Sequence, residues 1–147
     1  LGRFERRLYA APGYLEQHGT PADPSELQQH HTVTHTAQGP AVTWVFRNAQ
    51  GKPLEVTVRS RLAASSSALV HHALVSGAGI GMLSSPLAAA DAAQGRLVEV
   101  LAPFASGTVH TLYAVSSPGR RNAARVKAVI DFLVKASKDG WALAPVR

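Results

Sequence analysis

Cysteine is absent from all 147 residues. That excludes a disulfide framework and thiolate chemistry, and it fits a reducing compartment such as the cytoplasm. Acids are scarce, nine Asp and Glu against fifteen Lys and Arg, so few carboxylates are free to orient a histidine. Long apolar runs are missing too. Each is broken by Gly, Ser, His or a charge well short of a membrane span, and no secretory signal opens the chain. No GxSxG and no HExxH occurs, and no repeat at solenoid periods is present. These gaps argue against an enzyme, a metal centre and a cofactor site.

What is there suits a packed domain. Hydrophobic residues make up 46% of the chain, and its length fits one domain or two small lobes. The net charge of +6 does not by itself mean nucleic acid. Arg3, Arg6 and Arg7 form one cluster and Arg120, Arg121, Arg125 and Lys127 another, without the interleaved aromatics of a phosphate-tracking groove. Solvated surface charge accounts for them. Leu1-Gly2-Arg3 lacks an initiator Met and a strand begins almost at once, which reads as a piece of a longer protein.

The organising stretch is Leu62 to Leu101. It reads as strand, serine turn, helix, glycine turn, buried strand, short helix and strand. Ser65, Ser66 and Ser67 stand where a helix starts, because a hydroxyl can accept from an unpaired N–H of the first turn. Leu69, Val70, Ala73 and Leu74 recur at helical spacing, and Gly77 supplies the stop. Gly79 to Leu83 is a short apolar strand ended by Ser84-Ser85-Pro86. Strand, helix and strand with a tight return imply a crossover and a parallel pair, and ligands bind beyond the carboxyl ends of such strands.

Elsewhere, Arg6 to Ala11 is a strand followed by a short helix from Pro12 to a stop at Gly19. Ser25 to His30 adds a helical turn or two, and Thr32 to Thr36 a strand. Val42–Arg47 and Leu54–Val58 make a β-hairpin, with Leu54, Val56 and Val58 on one face. Strand Leu97–Leu101, loop Ala102–Gly107 and strand His110–Val115 follow. The last helix carries Val126, Val129, Ile130 and Leu133 as its stripe, Asn122 as its cap and Gly140 as its close.

Candidate ligand residues are Ser65, Ser66 and Ser67, with Leu83, Ser84 and Ser85 at the second strand end. A helix N-terminus stabilises an anion through its free N–H groups and positive potential, and hydroxyls fix orientation. The competing reading is structural: a cap needs one serine only, and a turn before Pro86 explains Ser84 and Ser85. Seven histidines raise a metal question. His71 and His72 point about 100° apart on a helix, so they cannot share one ion, and His30, His31 and His35 have no supporting cysteine or carboxylate nearby. Trp44 and Phe46 share one strand face, which favours core packing over ligand stacking.

Taken together, Arg7-Leu8-Tyr9-Ala10-Ala11-Pro12-Gly13-Tyr14-Leu15 through Gly19, Trp44-Val45-Phe46, Val58 to Leu62, Gly77-Ala78-Gly79-Ile80-Gly81, Gly95-Arg96-Leu97-Val98 and the Val126 to Leu133 helix resemble the C-terminal part of a LysR-type transcriptional regulator's effector domain. The resemblance implies an α/β fold like that of periplasmic binding proteins, two lobes with a mixed sheet and an inducer cleft between them. Here it would be a fragment, with residues 12–105 forming most of the second lobe and 1–11 and 108–138 the hinge and part of the first. The family's winged helix-turn-helix has no counterpart in these residues, so the resemblance implies DNA contact only through a segment lying outside them. It further implies a small-molecule effector and a homo-oligomer (dimer or tetramer); the helix start at Ser65 to Ser67 makes that effector anionic, and no membrane partner and no cofactor are expected. A solute-binding protein of transport shares the fold and is the alternative. One departure concerns shape: where relatives carry proline directly after the buried strand, Leu83 is followed by Ser84-Ser85-Pro86.

Overall fold

The computed structural model describes residues 1–35, 41–48, 50–105, 108–116 and 124–138. Its strands are β1 (Gly2–Ala10), β2 (Thr32–His35), β3 (Ala41–Arg47), β4 (Pro53–Ala64), β5 (Ile80–Ser84), β6 (Val98–Val100) and β7 (Val109–Leu112). Its α-helices are α1 (Pro12–His18), α2 (Ser67–Val75), α3 (Ser85–Ala93) and α4 (Ala124–Lys138). Short 3-10 turns occupy Pro24–Gln29 and Ala102–Phe104. The sheet is mixed and runs β3-β4-β2-β5-β1-β6, with β7 pairing β1.

The hairpin forms as its alternation dictates, with Trp44 opposite Val56 and Phe46 opposite Leu54. Trp44 and Phe46 are buried in one core cluster with Leu8, Ala10, Tyr14 and Ile80. A second cluster joins Tyr9, Val33, Val70, Leu74, Leu83 and Leu97. Successive strand residues point to opposite faces, so β1 sends Leu8 and Ala10 into one cluster and Tyr9 into the other. Helices α2 and α3 therefore cover one face while α1 and the Pro24 turn cover the other.

Two expectations change. Leu54–Val58 and Leu62–Ala64 are one strand, because β4 pairs antiparallel with β3 over its first part and parallel with β2 over its last. The crossover strands β4 and β5 run parallel but are not neighbours, since β2 inserts between them and pairs with both. Two glycines admit it. A Cβ on Gly79 would lie 2.3 Å from the His31 carbonyl oxygen, and one on Gly81 2.6 Å from that of Val33. The expected break at Ser84-Ser85 is also absent: Ser84 ends β5 and Ser85 begins α3.

In α4, Val126, Ile130 and Leu133 are half-buried as the stripe requires, whereas Val129 is exposed. Asn122 and Gly140 lie outside the described residues. No described helix is long and apolar enough to cross a membrane.

Candidate functional site

Strands β2, β4 and β5 are parallel, so their carboxyl ends share one edge of the sheet. His35 ends β2, the serine turn follows β4, and Ser84 ends β5. Strand β1 is antiparallel to β5 with Arg6 opposite Ser84, so its first residues run out past that edge. There they pair with β7, with Phe4 opposite His110. The two rings stack with centroids 5.3 Å apart.

These elements enclose a cleft of about 320 Å³. Its polar lining is Arg6, His35, Ser67, Ser84 and His110, over an apolar floor of Phe4, Val70, Met82, Leu83 and Leu87. A second hollow of about 220 Å³ shares Arg6, His35, Met82 and His110, and extends toward Trp44 and Thr43. Among the described residues, no Asp or Glu lines either of them.

The six sequence candidates separate here. Ser67, Leu83 and Ser84 line the cleft; Ser65, Ser66 and Ser85 do not. Ser66 is the N-cap of α2, its hydroxyl accepting from the Leu69 N–H at 3.4 Å. Ser67 follows as the first helical residue and turns to the cleft. Ser84 occupies the N-cap position of α3 without a side-chain cap bond, which leaves its hydroxyl for the cleft. Leu83 is 2% exposed and contributes wall rather than polarity. Two helix N-termini thus add positive potential to the same space.

Sequence reasoning missed Arg6, Phe4, His35 and His110. Arg6 is half-buried, and its Nη2 donates to the Met82 carbonyl at 3.4 Å. Burial holds its pKa below the usual guanidinium value. The neighbouring Arg7 is different: it bonds Glu5 at 2.6 Å and Glu99 at 2.8 Å, and the Glu99 hydrogen bond foremost raises its pKa. The alternation Phe4, Arg6, Leu8 was the available signal, but only the pairing of β1 with β5 and β7 shows what it faces.

The cleft is not the largest hollow. One of about 530 Å³ between the start of α1 and the end of α2 presents Tyr14, Gln17, Ser76 and Arg96. Its charged and aromatic groups are already engaged: Arg96 Nε donates to Asp91 at 2.6 Å, and the Tyr14 hydroxyl accepts from the His31 N–H at 2.9 Å. Among the described residues no three His, Asp or Glu side chains gather to hold a metal ion.

A family model for the LysR substrate binding domain matches residues 1–138. The chain belongs to the LysR substrate-binding domain family. Among curated proteins, this LysR domain is 35% identical over 129 residues to the HTH-type transcriptional regulator CrgA of Neisseria meningitidis, covering 88% of the chain and 42% of CrgA. It is 32% identical over 132 residues to the regulator PtxR of Pseudomonas aeruginosa, covering 88% and 41%. The chain therefore spans about two fifths of the length of these regulators. In structure it is similar to the CrgA regulatory domain from Neisseria meningitidis, with a TM-score of 0.81 at 34% identity over 92% of this chain and 66% of that one. The periplasmic-binding-protein-like α/β fold expected of a partial LysR domain is thus observed. Its relatives are transcriptional regulators and not enzymes.

Proposed function

We propose that the chain senses a small anionic effector at the carboxyl ends of β2, β4 and β5, as the effector-binding part of a LysR-type transcriptional regulator. The supporting observation is the lining: among the described residues, Arg6, His35 and His110 are the titratable groups of the cleft, and no carboxylate opposes them. Two hydroxyls and two helix starts add donors of the same sense. Closure on the effector would favour one of two arrangements of the subunits, which a winged helix-turn-helix elsewhere in the regulator would report to DNA. In this reading the regulator is a cytoplasmic homo-oligomer. Residues 12–105 form most of the second lobe, and 1–11 with 108–138 the hinge and part of the first. The transport alternative shares the fold, but CrgA and PtxR, both transcriptional regulators, favour sensing.

The test is a thermal-shift screen of the complete regulator against small acids, amines and uncharged metabolites. Acids should raise the melting temperature, because a ligand at about a hundred times its Kd adds roughly 2.7 kcal/mol to the folded state. Stabilisation by amines alone would refute an anion site.

A further inference from the structure

Strand β1 runs antiparallel to β5, so its carboxyl end opens at the opposite edge of the sheet from the cleft, where β5 begins. There the chain passes through Ala11 and Pro12 into the hollow of about 530 Å³. Helix α1 walls one side with Tyr14 and Gln17, the end of α2 the other with Val75 and Ser76, and Arg96 completes the lining. The hollow is thus built apart from the cleft, with no lining residue in common.

Arg96 is anchored there without being exhausted. Its Nε donates to the buried Asp91 at 2.6 Å, which fixes the guanidinium plane. Among the described residues its two Nη groups make no hydrogen bond, and neither do the side chains of Gln17 and Ser76. The Arg96 side chain is 52% exposed, so that fork is within reach of a ligand, and its two nitrogens match the two oxygens of a carboxylate. The Tyr14 hydroxyl is spent on His30 and His31, so its ring serves as wall. Helix α2 ends in the hollow, and the negative potential of a helix C-terminus opposes a second negative charge while favouring donors. One cation, an amide, a hydroxyl and a helix end therefore suit a monocarboxylate that carries hydroxyls, rather than a phosphate dianion.

The anchor also leads inward. The other oxygen of Asp91 lies 2.7 Å from His71 Nε2 on α2. That helix meets the hollow with its last residues and the cleft with Ser67, its first.

We propose that this hollow is a second ligand site, which takes a hydroxylated monocarboxylate on Arg96, Gln17 and Ser76 and passes its occupancy through Asp91 and α2 to Ser67. The site stands whether or not the cleft is where the effector binds.

The test follows backbone amide signals of the complete chain by NMR as glucuronate, glucose or inorganic phosphate is added. Glucuronate should shift Gln17, Ser76, Gly77 and Arg96 saturably, and glucose, a similar ring without the carboxylate, should not. Arg96→Gln should weaken glucuronate about fivefold, the modest loss expected at a half-exposed cation. Gln17→Ala with Ser76→Ala leaves the Asp91 contacts whole and should cost about threefold. If Arg96→Gln does not fold, the double alanine variant decides alone. An absence of saturable shifts with glucuronate, equal binding of glucose, or undiminished affinity in the variants overturns the site. Phosphate binding tighter than glucuronate overturns the ligand class. The relay has its own readout: Ser67 should shift with the same midpoint as Arg96 and lose that shift in Asp91→Asn. A Ser67 signal that stays still in the wild type, or still moves in Asp91→Asn, overturns the relay.

Discussion

His71 Nε2 lies 2.7 Å from Asp91 Oδ2, which ties α2 to α3. The other carboxylate oxygen accepts from Arg96 Nε at 2.6 Å, so the buried acid has a cation on each side if the imidazole is protonated. These hydrogen bonds, from Arg96 first and His71 second, hold the Asp91 carboxyl below its usual range. A depressed carboxyl stabilises the fold above the unfolded carboxyl pKa of about 3.9 and loses that contribution as pH falls through the folded value. Asp91→Asn should therefore lower the urea midpoint at neutral pH and reduce the steepness of acid unfolding below about pH 4. An unchanged acid limb would show that this trio does not govern it.

The serine turn should divide by role. Ser66→Ala removes the N-cap of α2 and should cost about 0.5–1 kcal/mol, the lower part of the usual range because its bond is long at 3.4 Å. Ser67→Ala removes no cap and, being exposed, should stay within about 0.5 kcal/mol in urea unfolding while weakening the response to effector. Both substitutions together are thus not neutral for stability. Equal stability of the two single variants would remove the distinction.

Patterns carried by one element were legible in the sequence; relations between elements were not. The hairpin face of Leu54, Val56 and Val58, the Pro12 helix start, the stop at Gly19 and the need for a serine cap all follow from local spacing and backbone chemistry. Arg6 looked like one of three surface arginines, because nothing in Arg3-Phe4-Glu5-Arg6-Arg7 reveals that Ser84 lies opposite it. Asp91 likewise sits in a short alanine-rich helix, and its partner His71 is 20 residues away. The insertion of β2 between β4 and β5 is a register fact of the same kind, whose only local trace is the glycine pair.

That pair gives a direct test of the insertion. Gly81→Ala places a methyl 2.6 Å from the Val33 carbonyl oxygen and about 3.0 Å from Leu74, and should cost roughly 2 kcal/mol by overpacking. Gly79→Ala meets the His31 oxygen at 2.3 Å and also carries a φ of +150°, so it should cost about 3 kcal/mol or more. Urea midpoints checked for constant slope would rank the two. If Gly79→Ala proves the milder variant, β2 does not approach β5 as closely as described.

Mild acid should weaken the fold around Tyr14. The Tyr14 hydroxyl accepts the His31 N–H at 2.9 Å, which leaves its own proton for His30 Nδ1 at 3.1 Å. Arg61 Nη1 lies 2.8 Å from the His31 ring, and His18 stacks on Tyr14 with centroids 4.3 Å apart. Burial first, then the neighbouring positive groups, push the His30 and His31 pKa values down, with Glu26 opposing at His30. A histidine whose folded pKa is depressed stays neutral in the fold while the unfolded chain takes up the proton. Stability is therefore full above the unfolded value near 6.5 and declines as pH falls from there toward the folded values. The urea midpoint should drop between about pH 7.5 and pH 5.5, and His30→Gln with His31→Gln should flatten that slope. Tyr14→Phe would leave the buried side of the His31 N–H without its acceptor, at a cost of about 1–3 kcal/mol at either pH. A double glutamine variant with the wild-type slope would place the acid sensitivity elsewhere.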